Sequence, residues 1–217
     1  MRKASIICFI DDSAFEHFLV QHEIAPVAPD LEFVQAYTFE EAVEKLNRRI
    51  PSLFLLDLWG KDEKVSEPSI MPKEELERKV ASFPTLNKVY EDLDNLEGDV
   101  VNEYLKRLFT IVDNWRSLFE DICSQIGQNR KYGLANLKKV RLHYPWIPAV
   151  VYTRKSLISD AVAVFTAGAD GMFIKPTGMN DTQTRRLTRE YSPQLITELK
   201  RIMHRGPWQK KTYHGLP

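Results

Sequence analysis

Short apolar runs alternate with amphipathic stretches along most of this 217-residue sequence, and few folds accommodate that pattern. The apolar runs are short enough to be buried strands and cover 4–10, 31–37, 51–60, 147–153 and 171–175. The stretches with helical spacing cover 13–23, 38–49, 132–145, 156–168 and 192–205. Because strands that are separated by helices pair in parallel, the sequence predicts an α/β protein with a doubly wound, five-stranded parallel sheet.

Residues at the ends of these stretches indicate where helices begin and end. Thr38 and Glu41 have the spacing of a capping box, and Pro51 is expected to stop the helix that they open. Gly168 is a suitable C-cap for the helix before the fifth strand. Ser192 is expected to be the N-cap of the last helix, with Pro193 at its first position.

The connection between the third and fourth strands is much longer than the fold requires. A complete strand, crossover helix and strand takes about 30 residues, and 132–145 already has the pattern of the crossover helix. We therefore expect residues 61–131 to be an insertion. A turn at Gly98 and Asp99 favours a hairpin of two antiparallel helices.

Apolar residues within the insertion repeat with heptad spacing. They are Leu86, Val89, Leu93, Leu96, Val100, Val101, Leu105, Leu108, Val112, Trp115, Phe119, Ile122 and Ile126. A second stripe runs through Tyr104, Leu108, Ile111, Trp115, Leu118 and Ile122. Burial inside the hairpin is the simpler interpretation, but two stripes leave apolar surface for the main domain, a second copy or another protein.

Composition limits the class of protein. Lysine plus arginine number 30, as do aspartate plus glutamate, so no global field favours nucleic acid or an anionic membrane. No apolar stretch approaches the roughly 18 residues of a membrane helix, and the first one ends at Ile10, too soon for a signal peptide. Cys8 and Cys123 show no metal-site spacing. We expect a soluble, cytoplasmic protein.

Polar side chains end four of the five predicted strands. The first strand ends at Asp11 and Asp12, the third at Asp57, the fourth at Thr153 and the fifth at Lys175. Since the carboxyl ends of parallel strands lie at one edge of the sheet, these three carboxylates, the hydroxyl and the amine are expected to converge.

Such a cluster points to phosphoryl chemistry. Clustered carboxylates repel one another unless a divalent cation holds them, and oxygen ligands without cysteine or histidine favour Mg²⁺. An aspartate there can act as a nucleophile on phosphorus. Lys175 would neutralise the incoming charge, and Thr153 would donate a hydrogen bond to it. The product would be an aspartyl phosphate.

The same residues resemble the receiver domain of bacterial two-component response regulators. The resemblance covers about 4–60 and 132–204, and it rests on FIDDS, LFLLDL, GLANLKKVRLHYPWIPAVVYT and AGADGMFIKP. It implies a flavodoxin-like sheet in the order 2-1-3-4-5. It further implies that Asp57 accepts phosphate from a histidine kinase or phosphotransfer protein, and that Lys175 contacts the phosphoryl group while Thr153 reorients to report it.

The resemblance also implies a metal site and a domain organisation. Mg²⁺ would be held by Asp11, Asp12, Asp57 and the main-chain carbonyl of Trp59. The receiver-like domain would comprise 1–60 and 132–205, followed by a tail at 206–217. We expect a stand-alone receiver whose target binds the insertion, without DNA or membrane binding and with a possible homodimer. Enzymatic activity would be at most self-phosphorylation and slow aspartyl-phosphate hydrolysis.

Three departures from the family pattern leave other functions open. Arg154 stands where the family usually has a small residue, Met172 stands where it commonly has an aromatic one, and the insertion begins directly after Gly60. Arg154 and Trp59 support a phosphorylation-silent pseudo-receiver that acts as a scaffold. A haloacid dehalogenase-like phosphatase is a third hypothesis, although that family has its second aspartate where Ser13 is found.

Overall fold

The computed structural model describes residues 4–61, 67–154 and 158–204. Contacts divide the chain into two compact units, residues 1–61 with 129–217 and residues 62–128. The predicted tail at 206–217 lies outside the described residues, as do the first two residues of the helix predicted at 156–168.

The first unit contains a five-stranded parallel sheet. Its strands are β1 (Ser5–Ile10), β2 (Leu31–Ala36), β3 (Leu53–Leu56), β4 (Ala149–Thr153) and β5 (Gly171–Ile174). They lie in the order β2-β1-β3-β4-β5, and every neighbouring pair is parallel. The predicted fold and strand order are confirmed.

Eight α-helices accompany the strands in the described part of the chain. In chain order they are α1 (Ala14–Leu19), α2 (Phe39–Leu46), α3 (Lys73–Ala81), α4 (Leu86–Tyr90), α5 (Val100–Gln125), α6 (Lys131–His143), α7 (Ile158–Thr166) and α8 (Asp181–His204). A π-helical turn (Val20–Ile24) and a 3-10 turn (Ala25–Val27) extend α1, and two-residue strands lie at Gly60–Lys61 and Gln128–Asn129. None of the described helices is both long and apolar enough to cross a membrane.

The sheet is covered on both faces, which explains the continuous apolar character of its strands. Ile7 and Phe9 of β1 point to one face, where they join a buried cluster that includes Leu195 and Leu199 of α8. The alternate residues of β1 join a second cluster with side chains of α2 and α6, Leu137 among them. In the central strands β1 and β3, whose faces are both buried, polar side chains can therefore reach solvent only at the strand ends.

The caps predicted for α2 and α7 agree with the structure, but the stop predicted at Pro51 does not. Thr38 caps α2 as expected, since its hydroxyl accepts the Glu41 amide at 3.2 Å. Pro51, however, does not stop this helix, because α2 ends at Leu46 and Asn47 adopts a left-handed conformation with φ 45°. Gly168 does follow α7 with φ +94°, as a C-cap requires.

The last helix begins earlier than the sequence predicted. Ser192 is not an N-cap, because α8 runs from Asp181 and contains Pro193 in its interior. The Ser192 hydroxyl instead donates to the Thr188 carbonyl at 2.6 Å. An interior proline costs about 3 kcal/mol, and packing on both sides of it offsets that cost. The half before Pro193 is held by Arg185 and Arg189, which donate to the buried Glu23 carboxylate, and the half after it packs into the core.

The second unit is an antiparallel helical hairpin with one interrupted arm. Three contacts run in reverse order along its arms: Lys79 Nζ lies 3.1 Å from Asp121 Oδ2, the rings of Phe83 and Trp115 are 5.4 Å apart, and the hydroxyls of Tyr90 and Tyr104 are 3.3 Å apart.

The return arm agrees with the prediction, while the first arm does not. Asp99 caps α5 by accepting the Asn102 amide at 3.0 Å. The first arm is divided into α3, α4 and a 3-10 turn rather than forming one helix. Pro84 precludes a continuous helix between α3 and α4. The chain leaves α4 at Glu91, and Asp92 with a left-handed φ of 56° separates α4 from the 3-10 turn at Leu93–Asn95.

Gly133, in the first turn of α6, can be used to test the packing of this crossover helix against the residues that follow β3. A Cβ at this position would lie 2.3 Å from the Asp57 carbonyl oxygen and 2.4 Å from the Leu58 Cα. We expect Gly133→Ala to lower the free energy of unfolding by about 1 to 3 kcal/mol, because both close atoms belong to backbone that cannot move freely. Urea unfolding measures the change. Ala135→Gln, on the exposed side of α6, is the control and should stay within about 0.5 kcal/mol.

Candidate functional site

The polar residues at the strand ends converge around the Lys175 ammonium group. Lys175 Nζ lies 2.5 Å from Asp11 Oδ2 and 3.0 Å from Asp57 Oδ1. The Thr153 side chain is hydrogen-bonded to the Asp57 carboxylate. The expected convergence of the ends of β1, β3, β4 and β5 is therefore present in the structure.

Backbone hydrogen bonds carry the parallel ladder one residue past the strands and fix where these side chains start. The Asp11 amide donates to the Ala36 carbonyl at 3.1 Å, and the Asp57 amide donates to the Ile10 carbonyl at 2.9 Å. The Lys175 amide donates to the Thr153 carbonyl at 2.9 Å. Each functional side chain thus comes from backbone that the sheet holds in place.

The acid and amine groups are almost completely removed from solvent. Asp11 is fully buried, and Asp57 and Lys175 are 6% and 3% exposed. Burial raises the pKa of Asp11 to about 7 despite the opposing effect of Lys175, and the carboxylates of Asp57 and Glu16 add to the rise. Burial also raises the pKa of Asp57, against the effects of Lys175 and the Thr153 hydrogen bond.

The pKa of Lys175, the cation in this cluster, is raised by its charged neighbours and not by burial. Burial alone would lower the pKa of Lys175, but the surrounding carboxylates of Asp11, Asp57 and Glu16 outweigh it and raise that pKa. Lys175 is therefore charged at every physiological pH. It is the permanent counter-charge to the carboxylates at the strand ends.

The predicted metal ligands also come together. Asp11, Asp12 and Asp57 each offer a carboxylate oxygen, and these oxygens lie within 4.8 Å of one another. Opposite ligands of an octahedral Mg²⁺ are about 4.2 Å apart, at twice the Mg–O distance of about 2.1 Å, so small side-chain adjustments would bring all three into its coordination sphere. An all-oxygen donor set fits this ion.

Two of the three acidic residues are oriented by backbone amides. The Ser13 amide donates to Asp11 Oδ1 at 2.9 Å, and the Lys61 amide donates to Asp12 Oδ2 at 2.8 Å. Trp59 is buried and lies two residues after Asp57. Coordination by its main-chain carbonyl stays a prediction.

Glu16 and Arg154 form a second ion pair beside this cluster that the sequence did not reveal. Glu16 is 6% exposed, and its Oε2 lies 3.6 Å from Lys175 Nζ. Arg154 donates from Nε to Glu16 Oε1 at 2.7 Å and from Nη1 to the Pro176 carbonyl at 2.6 Å. The guanidinium that departs from the family pattern at position 154 is therefore bound to Glu16. The position of Glu16, one turn into the helix after the acidic pair, was the available signal.

Tyr132 of α6 is the other unforeseen residue at this edge. Its ring packs against Gly60, and its hydroxyl donates to the Tyr37 carbonyl at 2.7 Å. Burial raises the pKa of Tyr132, and the carboxylates of Asp11, Asp12 and Asp57 add to this effect. The uncharged side chain of Tyr132 thus lies close to the acidic residues.

Comparison with known proteins bears on the fold. No protein-family model matches this sequence, and no curated protein sequence matches it. Among solved structures, the response regulator domain of CheB from Thermotoga maritima is similar, with 16% identity and a TM-score of 0.50, over 94% of this chain and 100% of that one. The chain has the fold of a response regulator receiver domain.

Two further receiver structures match over similar lengths with lower TM-scores. The receiver domain of NtrX from Brucella abortus is 17% identical, with a TM-score of 0.46, over 92% of this chain and 99% of that one. A CheY-like receiver domain protein from Methanospirillum hungatei JF-1 is 14% identical, with a TM-score of 0.46, over 94% of this chain and 100% of that one.

Removal of the Lys175 charge tests the electrostatics of the cluster. We expect Lys175→Met, in the presence of a chelator, to lower the free energy of unfolding by about 3 to 5 kcal/mol, because it leaves buried carboxylates without their counter-charge. Chemical denaturation measures this loss. Lys138→Met on the exposed face of α6 is the matched control and should change stability by less than about 0.5 kcal/mol. A loss below about 1 kcal/mol for Lys175→Met would contradict the assignment.

Proposed function

We propose that this protein is a stand-alone response regulator receiver that accepts a phosphoryl group on Asp57 in a Mg²⁺-dependent reaction. The observation that carries the proposal is the contact of one buried ammonium, Lys175, with carboxylates from β1 and β3 at the carboxyl edge of the sheet. The receiver fold supports it, since this is the edge at which doubly wound sheets bind ligands. The phosphoryl donor would be a histidine kinase or a phosphotransfer protein.

The chemistry follows from the groups around Asp57. A carboxylate oxygen of Asp57 attacks the phosphorus of a phosphohistidine, the P–N bond breaks, and its electron pair returns to the imidazole of the donor. The product is an acyl phosphate on Asp57. Lys175 already lies 3.0 Å from an Asp57 oxygen, so its charge can stabilise the phosphoryl oxygens with little movement.

Thr153 and the acidic residues have distinct roles in this proposal. The Thr153 hydroxyl is bonded to the Asp57 carboxylate and would donate to a phosphoryl oxygen after transfer, which is how it would report phosphorylation. Bound Mg²⁺ would supply positive charge to the phosphoryl oxygens. Asp11, Asp12 and Asp57, with the Trp59 carbonyl, would hold that ion, and the insertion would carry the surface for a protein target.

Phosphorylation of Asp57 is tested with acetyl phosphate as a small-molecule donor. We expect the intact protein to gain one phosphoryl mass in the presence of Mg²⁺ and to lose it on treatment with hydroxylamine, which cleaves acyl phosphates. Asp57→Asn should abolish labelling, because the nucleophile is gone. Asp94→Asn, a conservative change in the exposed part of the insertion, is the control and should be labelled normally. Labelling that persists in Asp57→Asn would exclude Asp57 as the acceptor.

Metal binding is tested separately through stability. Mg²⁺ at 100 times its dissociation constant should raise the free energy of unfolding by about 2.7 kcal/mol, because it binds only the folded state. Asp12→Asn should remove most of this gain while leaving the metal-free protein folded, since Asp12 is only partly buried. An unchanged Mg²⁺ effect in Asp12→Asn would contradict the ligand set.

One observation favours the second hypothesis, a phosphorylation-silent scaffold. Glu16 places an additional carboxylate 3.6 Å from Lys175, and a negative charge there opposes the arrival of an anionic phosphoryl group. Arg154 offsets that charge through its ion pair with Glu16. If acetyl phosphate does not label the protein while Asp57→Asn still binds its partner at full affinity, the scaffold function is the correct one.

A further inference from the structure

The long helix of the insertion has an exposed apolar stripe on the side away from its own hairpin partner. This α5 stripe consists of Val101, Leu105, Phe109, Val112, Trp115 and Phe119, whose exposed fractions run from 37% to 68%. At 100° per residue, the six positions fall within about 120° of one another around the helix. They therefore form one continuous face rather than scattered exposed side chains.

The hairpin uses a different face of α5. Tyr104 contacts Tyr90, Leu118 is buried, and Arg107 donates to the Val89 carbonyl at 3.3 Å. Trp115 lies at the boundary, since it contacts Phe83 and is still 51% exposed. The first arm thus leaves the middle of the α5 stripe exposed, at Leu105, Phe109 and Val112.

Charges beside the stripe indicate what covers it. On the flank away from the first arm, Lys106 and Asp113 stand one heptad apart, with side chains that are 77% and 62% exposed. Within α5, Lys106 lies 3.7 Å from Glu103 and Asp113 lies 3.3 Å from Arg116, and these exposed pairs are weak enough to exchange partners. When two identical helices pack antiparallel, this flank of one copy meets the same flank of the other. Lys106 then faces Asp113 of the other copy, and symmetry forms the pair twice.

The apolar and charged positions are centred within one residue of each other along α5. The middle of the α5 stripe falls at Thr110, and the midpoint of Lys106 and Asp113 falls between Phe109 and Thr110. A two-fold axis near this point would place Phe109 and Val112 of both copies within one helical turn of the axis. An unrelated partner would not require the stripe and the opposite charges to be centred together.

We propose that two copies of this chain form a homodimer through antiparallel packing of their α5 stripes. The stripe spans about 27 Å at 1.5 Å per residue, and with a helix about 10 Å wide it covers on the order of 300 Å². That area is as large as the largest apolar patch on a typical monomer, yet it is small for a permanent interface. The dimer is therefore a weak one that depends on protein concentration. This inference does not depend on phosphorylation of Asp57.

Sedimentation velocity of the full chain over roughly 1 to 100 μM tests the dimer, and a sedimentation coefficient that rises with concentration is expected. Phe109→Asp should abolish self-association, because it places two like charges at the centre of an apolar interface. Val162→Asp, which changes an equally exposed apolar residue of α7, is the matched control and should dimerise like the unmodified protein. Circular dichroism establishes that each variant is folded.

Charge reversal tests the antiparallel geometry. Lys106→Asp and Asp113→Lys should each weaken dimerisation by about tenfold, because each sets like charges opposite one another twice. The double variant with both changes should dimerise more tightly than either single variant, since each pair between the two copies is then attractive again. A monomer at every concentration would overturn the proposal, and so would a dimer that Phe109→Asp leaves intact. Failure of the double variant to recover would overturn the antiparallel arrangement.

Discussion

The contact of the Lys175 ammonium with the Asp11 and Asp57 carboxylates is the interaction on which the first unit depends. Charged groups lose several kcal/mol of solvation when they are buried, and only close opposite charges with good geometry return that loss. The two acids and the amine come from three strands that are distant in sequence. Only a parallel sheet with β1 and β3 adjacent, and with β5 on the far side of β4, brings their ends together. The same contact therefore links the strand order to the chemistry of the edge.

The fold and the central part of the site were predictable because each depends on a strong local pattern. Strands buried on both faces give continuous apolar runs, and the runs end where the sheet meets solvent, so Asp57 and Lys175 could be placed from their positions alone. The caps at Thr38 and Asp99 were predictable for a similar reason, since a short hydroxyl or carboxylate side chain satisfies amides of its own helix. The features that were predicted well are those that depend on residues close together in the sequence.

What the sequence did not predict depends on contacts between distant elements. Pro193 was a good helix start by local rules, but burial of both halves of α8 outweighs the local penalty of an interior proline. The heptad pattern at Leu86 to Leu96 matched a helix, whereas the backbone of Glu91 and Asp92 interrupts the helix within that pattern. The Glu16 and Arg154 pair is 138 positions apart in sequence, and nothing around either residue indicates the other.

The unexpected pair changes the charge balance of the whole edge. Asp11, Asp12, Asp57 and Glu16 carry four negative charges when ionised, while Lys175 and Arg154 carry two positive charges. Without a metal ion the excess is two negative charges, and it contributes to the raised pKa values of Asp11 and Asp57, which burial alone would also produce. One divalent cation would neutralise the set, and conversion of the Asp57 carboxylate into an acyl phosphate dianion would then leave a single excess charge. Without Arg154 the excess after that conversion would be two negative charges rather than one, so the Arg154 side chain compensates for the buried Glu16 carboxylate.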